Sequence, residues 1–448
     1  MKMPRAADAE ARPQLSCHAF NQINTHLAIG TPSGWQVVAC DPFVPCHEAE
    51  VPGGVSAIQM LFSSSLIALV GGGERAEDSP RRLRLWNTST SSPVFELTFA
   101  TPVLRVLMNR VRLLVVLSEA THVFELATMR LLHQLETAPN PRGIAALSSS
   151  DESICAAWPN GHAPGWTGRL TIFDAQHGAA LATVAAHHSS ICCVAITPRG
   201  DMMATASQKG TVIRVHLLPS AECLHTFRRG SLRTTVLSLS FASSSEAEGS
   251  AVGTSPAGAA TPTEPADTDA AGAASTPGRP RSPIKALASS ASRARAASSR
   301  RGPLLCATSS TGTVHIWRCG RAGRPDSPPL GDEIRSSSGG GAASSRKSGG
   351  LKSITQWLSA ASASASAERD LARVRLKLPA DASWCVATLR EESGGDQNEH
   401  VEGDGRRSGH SCSLYVLTAR GEFFVYSLDV ASGACTLQDE RRLLPALA

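Results

Sequence analysis

No apolar run in the 448-residue chain approaches the ~18 residues needed to cross a bilayer; a stretch such as Leu66 to Val70 is far too short. Residues 1–14 contain no apolar core, so a secretory signal is not expected there, and Asp8 and Glu10 argue against a transit peptide. Charge is scarce. Asp, Glu, Lys and Arg make up 18% of the residues, which excludes a polyelectrolyte without a core. The net charge of +5 is not gathered into one patch or stripe, so no nucleic-acid partner is expected. The 12 cysteines are scattered singly apart from Cys192-Cys193, and none forms a CxxC pair, so no zinc site is expected. Cys155, Cys193 and Cys385 sit inside apolar runs and read as buried, reduced thiols of a cytosolic protein. There is no P-loop, no nucleophile elbow and no metal-ligand cluster, and His47-Glu48 is not HExxH. The expectation is a protein without a catalytic site, metal or cofactor.

What is abundant is Gly (37), Pro (27), Ala and Ser. They concentrate in three stretches. Residues 242–302 are Ala/Ser/Gly/Pro/Thr-rich, with acids alone in the first half (Glu246, Glu248, Glu264, Asp267, Asp269) and bases alone in the second (Arg279, Arg281, Lys285, Arg293, Arg295, Arg300, Arg301). Residues 320–369 are rich in Ser, Gly, Ala and Pro, and 391–411 are polar and Gly-rich. Such segments cannot bury enough apolar surface to offset their ordering entropy. Setting aside these and a tail over 1–13 leaves about 300 residues, against the roughly three domains that a length prior of about 150 residues each would suggest.

That remainder reads as short Val/Ile/Leu-rich strands bounded by Gly, Pro, Ser or Asn, among them 26–30, 111–116, 170–173, 212–217 and 314–317. A repeat orders them. Residues 204–215 (ATASQKGTVIRV) resemble 307–317 (ATSSTGTVHIW), and 27–37 is a looser copy. Each is a strand, a tight turn with Gly and a second strand, and with a strand on either side the unit is about 40 residues, the period of a WD40-type blade. About 300 residues then make seven blades. The expected fold is all-β, a seven-bladed β-propeller (WD40-like) over 14–443 with two long disordered insertions in blade six. The blades fall within 14–51, 55–99, 102–136, 143–186, 190–228, 233–379 and 382–443. Insertion 242–302 lies between the first and second strands of blade six, and 320–369 between its third and fourth. Loops take such insertions at little cost in stability.

After blade five comes Phe227-Arg228-Arg229-Gly230. Arginine doublets also occur at 81–82, 300–301, 406–407 and 441–442, and a doublet alone is an ordinary solvated pair. In an extended segment, however, successive side chains point to opposite faces, so two adjacent arginines can serve two pockets. Arginine binds phosphate bidentately and stays charged, and Gly230 lets a ligand approach the backbone.

The run from Ser189 through Gly230, together with 18–22, 61–66, 107–110, 139–141 and 305–317, resembles the PROPPIN family, also called the WIPI or autophagy-related protein 18 family, whose signature Phe-Arg-Arg-Gly stands intact at 227–230. The resemblance covers most of the chain outside the insertions. It implies a seven-bladed propeller that binds phosphatidylinositol 3-phosphate and phosphatidylinositol 3,5-bisphosphate in two headgroup pockets. The first would use Arg228 with Thr205, Ser207, Gly210, Thr211 and Arg214; Thr205 stands where Ser is expected and keeps the hydroxyl. The second would use Arg229 and Gly230 with Ser309, Thr313 and His315. Taken singly, each Thr or Ser is an ordinary edge or turn former; as a set at family spacing they imply lipid binding.

A further membrane element is expected at 350–358. Leu351, Ile354, Trp357 and Leu358 fall on one face of a helix, flanked by Arg346, Lys347 and Lys352, a composition suited to the membrane interface. The family inserts the loop between the third and fourth strands of blade six into the bilayer, and this segment occupies that loop. The plainer reading is a short helix packed on the propeller or left disordered. Ser282-Pro283 among Arg279, Arg281 and Lys285 fits a proline-directed kinase site. Arg110 and Arg112 fall where some relatives bind proteins, although Ala127 stands where such relatives carry a basic residue. The expected function is a phosphoinositide effector that recruits autophagy proteins. It would be peripheral on phagophore assembly site, endosomal or vacuolar/lysosomal membranes and otherwise cytoplasmic. The alternative is a WD-repeat interaction scaffold that does not bind lipid and uses Arg228-Arg229 structurally.

Overall fold

The structure is a computed structural model that describes residues 15–160, 167–244, 302–320, 371–375, 385–391 and 411–443. Its strands form seven sheets, each with four antiparallel strands that lie within one of the seven spans drawn from the repeat, and the seventh carries one added strand. Blade one is Cys17–Phe20, His26–Thr31, Gly34–Cys40 and Phe43–Glu50; blade two is Val55–Met60, Leu66–Gly71, Arg82–Asn87 and Ser92–Thr98. Blade three is Arg105–Met108, Arg112–Val116, Ala120–Glu125 and Leu131–Glu136; blade four is Ala146–Leu147, Cys155–Pro159, Arg169–Asp174 and Ala179–Ala185. Blade five is Ile191–Ile196, Met202–Ser207, Val212–Leu217 and Cys223–Arg228; blade six is Val236–Phe241, Leu304–Ser309, Thr313–Arg318 and Ala372–Arg375. Blade seven is Cys385–Glu391, Ser411–Thr418, Glu422–Asp429 and Cys435–Arg442. The described residues contain one 3-10 turn, Ala76–Asp78, and no α-helix.

Burial follows from position in the ring. The second strand of each blade is covered on both faces by neighbouring blades, and Arg112–Val116 is buried at all five positions. Both-face burial explains why these strands read as continuous apolar runs rather than alternating ones. Small buried residues recur there (Ala28, Ala68, Ala156, Ala204, Ala307), where adjacent blades press against each other. The fourth strands form the outer wall and are mostly exposed, as in Phe43–Glu50 and Ser92–Thr98. In blades one to five and seven the pairing of third and fourth strands carries a register shift. Such bulges twist an open edge away from further pairing.

The ring closes without a strand shared between blades one and seven, since the four antiparallel strands of each come from its own end of the chain. Leu15, Leu27, Ile29 and Val38 pack with Tyr415, Leu417 and Phe423 across this seam, and Leu15 N–H donates to the Ala419 carbonyl at 3.1 Å. Asn24 Nδ2 donates to the Leu389 carbonyl and to Ser243 Oγ, both at 3.0 Å, while Ser243 Oγ donates to the Ile23 carbonyl at 2.8 Å.

Those bonds mark a difference from expectation. The composition from 242 onward predicts insertion alone, yet Ala242 and Ser243 are buried, and Ser243–Ser244 add a parallel strand to blade seven against Arg390 and Glu391. The rest of that insertion to 301, residues 321–369 and most of the expected 391–411 loop lie outside the described residues. The described cysteines are free thiols, with Cys155 buried and Cys193 half-buried.

Candidate functional site at the junction of blades five and six

The fourth strand of blade five alternates as the double-arginine argument requires. His225 and Phe227 are buried, Thr226 and Arg228 are exposed, and Arg229 is buried again at 8% exposure. Successive residues of an extended strand face opposite ways, so the two guanidiniums leave the backbone on opposite sides. Phe227 fixes which side is which. It stacks between His225 (5.4 Å, 6°) and Trp317 (5.3 Å, 14°), and Trp317 stacks on His315 (5.5 Å, 7°). This four-ring column runs from blade five into blade six, so Arg229 shares the blade-six side and Arg228 the blade-four side.

On the Arg228 side the ladder pairs Thr205 with Arg214, Arg214 with Thr226, and Val212 with Arg228. Paired residues share a face, so Thr205, Arg214 and Arg228 lie on one surface, with Ser207 two positions beyond Thr205. The Arg214 guanidinium donates to the Ala186 carbonyl and to His187 Nδ1 (3.3 Å). Because Arg only donates, Nδ1 is the acceptor and the ring hydrogen sits on Nε2, which faces Thr205 Oγ1 at 3.1 Å and the Thr205 carbonyl at 3.2 Å. Burial, and then the Arg214 charge, lower the His187 pKa to about 4, so the ring is neutral at pH 7.

Gly210 and Thr211, expected beside Arg228, are engaged by Arg229 instead. Arg229 Nε donates to the Gly210 carbonyl, Nη2 donates to the Leu232 carbonyl at 2.6 Å, and the Arg229 N–H donates to the Thr211 carbonyl at 3.0 Å. Gly210 has φ +63, and a Cβ there would lie 1.6 Å from the Thr234 carbonyl oxygen. Gly230 is different: a Cβ would meet no atom within 4 Å and its φ is not positive, so the chain itself does not require glycine there.

On the blade-six face the register pairs Ser309 with Thr313, Ala307 with His315, and His315 with Arg373. Ser309 is buried, and its Oγ lies 2.9 Å from Thr311 Oγ1 and donates to the Thr313 carbonyl at 3.2 Å. Thr313 is half-buried and His315 is buried in the ring column. Burial, and then the charge of Arg373, depress the Arg229 pKa. Two like charges thus face one surface, an arrangement that an anion relieves.

Among the described residues no carboxylate forms an ion pair with Arg214, Arg228 or Arg229. His187 and Arg373 are the two residues that sequence reasoning missed. His187 lies in the connection before the repeat hairpin. Arg373 follows the long insertion, where only the alternation Ala372, Arg373, Val374, Arg375 signals a strand. Leu351, Ile354, Trp357 and Leu358 lie outside the described residues. Arg112 is a buried brace between blades, with Nε donating to the Ala175 carbonyl at 2.7 Å, and Arg110 covers the Phe62 ring at 3.8 Å. Among the described residues no three metal-ligating side chains cluster, and no helix is long and apolar enough to cross a membrane.

A seven-bladed propeller with a double arginine splayed between blades five and six is the class that fold and site define. The PROPPIN family model matches residues 14–255, and the chain belongs to the PROPPIN family. It is 38% identical over 241 residues to autophagy-related protein 18 of Yarrowia lipolytica, spanning 50% of this chain and 60% of that protein. It is 39% identical over 241 residues to the protein of the same name from Aspergillus terreus, spanning 50% of this chain and 56% of that one. The matched part is therefore about three fifths of these relatives' length. Among solved structures, Kluyveromyces lactis Hsv2 superposes with a TM-score of 0.59 at 15% identity, covering 96% of this chain and 100% of that one. KlAtg21, in its complex with the coiled-coil of AgAtg16, gives a TM-score of 0.58 at 22% identity, covering 96% and 99%. At these identities the likeness is one of fold.

Proposed function

We propose that this protein is a phosphoinositide effector that binds phosphatidylinositol 3-phosphate and phosphatidylinositol 3,5-bisphosphate and recruits autophagy proteins to membranes during autophagosome formation. The observation that carries this reading is the splaying of Arg228 and Arg229 onto opposite faces, each on a face that also carries hydroxyl and imidazole groups and with no described carboxylate partner. A phosphate takes several charge-assisted hydrogen bonds, and this set offers them. The first pocket would use Arg228, Arg214, Thr205 and Ser207, with His187 as a support. The second would use Arg229, Ser309, Thr313 and His315, with Arg373 adding charge and Gly230 leaving room for the ligand. Gly210 and Thr211 would contribute by holding Arg229 through their carbonyls.

Leu351, Ile354, Trp357 and Leu358 would insert into the bilayer. Two modest headgroup sites joined to one insertion segment gain avidity without a tight individual site. The protein acts by binding rather than catalysis. It would sit peripherally on phagophore assembly site, endosomal or vacuolar/lysosomal membranes in exchange with the cytoplasm. Membership of a family whose curated relatives are named autophagy-related protein 18 supports the autophagy assignment.

One observation favours the scaffold alternative in part: Arg229 spends its guanidinium on two main-chain carbonyls. Among the described residues Arg228 makes no such bond, so the test separates the two arginines. Vesicle binding is compared with and without phosphatidylinositol 3-phosphate for the wild type, Arg228→Thr, and Arg228→Thr with Arg229→Thr. We expect partial loss in the single variant and loss in the double. Undiminished binding in a folded double variant would refute the effector reading.

A further inference from the structure

The loop that follows the double arginine is clamped at both ends. At its start Arg229 holds the Leu232 carbonyl through Nη2 at 2.6 Å, while its N–H and Nε bind the carbonyls of Thr211 and Gly210. At its end the Thr234 carbonyl lies against Gly210 with no room for a Cβ, and the Thr235 carbonyl accepts from Ser310 N–H at 2.9 Å. Between the clamps the Leu232 side chain is 77% exposed, more than any other described large hydrophobic residue. The others left exposed, such as Val94, Leu131 and Leu437, lie on the outer strands of the propeller. Leu232 instead projects from a connection between blades, with exposed Arg228 before it and exposed Arg233 after it in the chain.

An exposed leucine is unfavourably hydrated. One set among guanidiniums matches the boundary of an anionic bilayer, where phosphates lie at headgroup level and acyl chains begin just beneath. The clamps fix the loop in advance, so contact would cost little further ordering. We propose that Leu232 is a preorganised membrane anchor that enters the acyl boundary of an anionic bilayer while Arg228 and Arg233 meet lipid phosphates. The lipid surface rests on the function proposed above, but the anchor has its own readout, partition into the bilayer rather than recognition of a headgroup.

The test uses the full chain, vesicles of phosphatidylcholine and phosphatidylserine with or without phosphatidylinositol 3-phosphate, and the variants Leu232→Ser and Leu232→Trp. Burying most of one leucine predicts that Leu232→Ser weakens vesicle binding roughly tenfold, about 1.4 kcal/mol. Leu232→Trp should bind at least as well as the wild type. Binding of soluble inositol 1,3-bisphosphate and the melting temperature should not change, because the side chain is exposed and the bonded group is the backbone carbonyl. Equal vesicle affinity for wild type and Leu232→Ser overturns the anchor, as does a matching loss of soluble-headgroup binding. Wild-type binding indifferent to the phosphoinositide, yet still weakened by Leu232→Ser, would sink the headgroup reading and leave the anchor standing. A wild type that binds no vesicle overturns both.

Discussion

Phe227 stacks on Trp317 with ring centroids 5.3 Å apart and planes 14° from parallel. Phe227 closes blade five and Trp317 lies in the third strand of blade six, so this contact sets how the two blades meet. Because Phe227 points inward, its neighbour Arg228 points out and Arg229 points in again. The phenylalanine of the motif therefore fixes the directions of both arginines.

Phe227 is 1% exposed and packed with Leu305, Ala307 and Trp317. Phe227→Ala should cost about 3–5 kcal/mol, the range for removing a buried aromatic ring, and Phe227→Leu clearly less. Urea denaturation followed by tryptophan fluorescence measures both. A cost below about 1 kcal/mol for the alanine variant would mean that the column contributes little to blade packing.

Stability should depend on pH through His187. Its pKa is about 4 in the fold against an ordinary 6.5, because burial and Arg214 disfavour the charged ring. Between those values the unfolded chain binds a proton that the folded chain does not. Stability is therefore fully present above about pH 6.5 and falls as pH drops toward 4. His18, also lowered to about 4, adds in the same direction. In His187→Gln the slope of unfolding free energy against pH should be shallower by up to about 1.4 kcal/mol per unit within that window. Parallel profiles for variant and wild type would contradict the assignment.

The blades were legible where the chain repeats itself. The hairpins 204–215 and 307–317 carry a strand, a glycine turn and a strand in each copy, and burial on both faces leaves unbroken apolar runs around them. The opposed directions of Arg228 and Arg229 followed from strand alternation alone. Ser243–Ser244 could not be read, because two serines in an Ala/Ser-rich stretch carry no periodicity and their strand is made by pairing with residues far along the chain. The bonds from Arg229 to the Gly210 and Leu232 carbonyls left no trace either, since every residue offers the same main-chain acceptor. His187 and Arg373 join the site through tertiary contacts from outside the repeat.

Ring closure gives a third expectation. Asn24 adopts φ 56 and sends its amide to the Leu389 carbonyl and Ser243 Oγ. Asn24→Ala keeps the left-handed backbone but strands buried acceptors at the seam, which should cost about 1–3 kcal/mol. Asn24→Gly relieves the backbone and should cost less than the alanine variant. Thermal unfolding ranks them against the wild type; a glycine variant less stable than the alanine variant would show that relief of the left-handed backbone does not matter to closure, and wild-type stability in both would show that the side-chain bonds do not.

Gly210 and Gly230 separate a structural glycine from a functional one. At Gly210 the left-handed backbone alone should make alanine about 1–2 kcal/mol worse, and the Thr234 carbonyl must move as well. Displacing it would also loosen the loop that carries Leu232, so both stability and vesicle binding should fall in Gly210→Ala. At Gly230 nothing lies within 4 Å of an added Cβ. Gly230→Ala should leave stability unchanged or raise it by up to about 1 kcal/mol, because alanine restricts the unfolded chain. If the space above Gly230 admits a headgroup, the same methyl should weaken phosphoinositide binding in a protein at least as stable as the wild type. A Gly230→Ala variant with full lipid binding would show that this backbone does not approach the ligand, and would leave Arg229 to act without it.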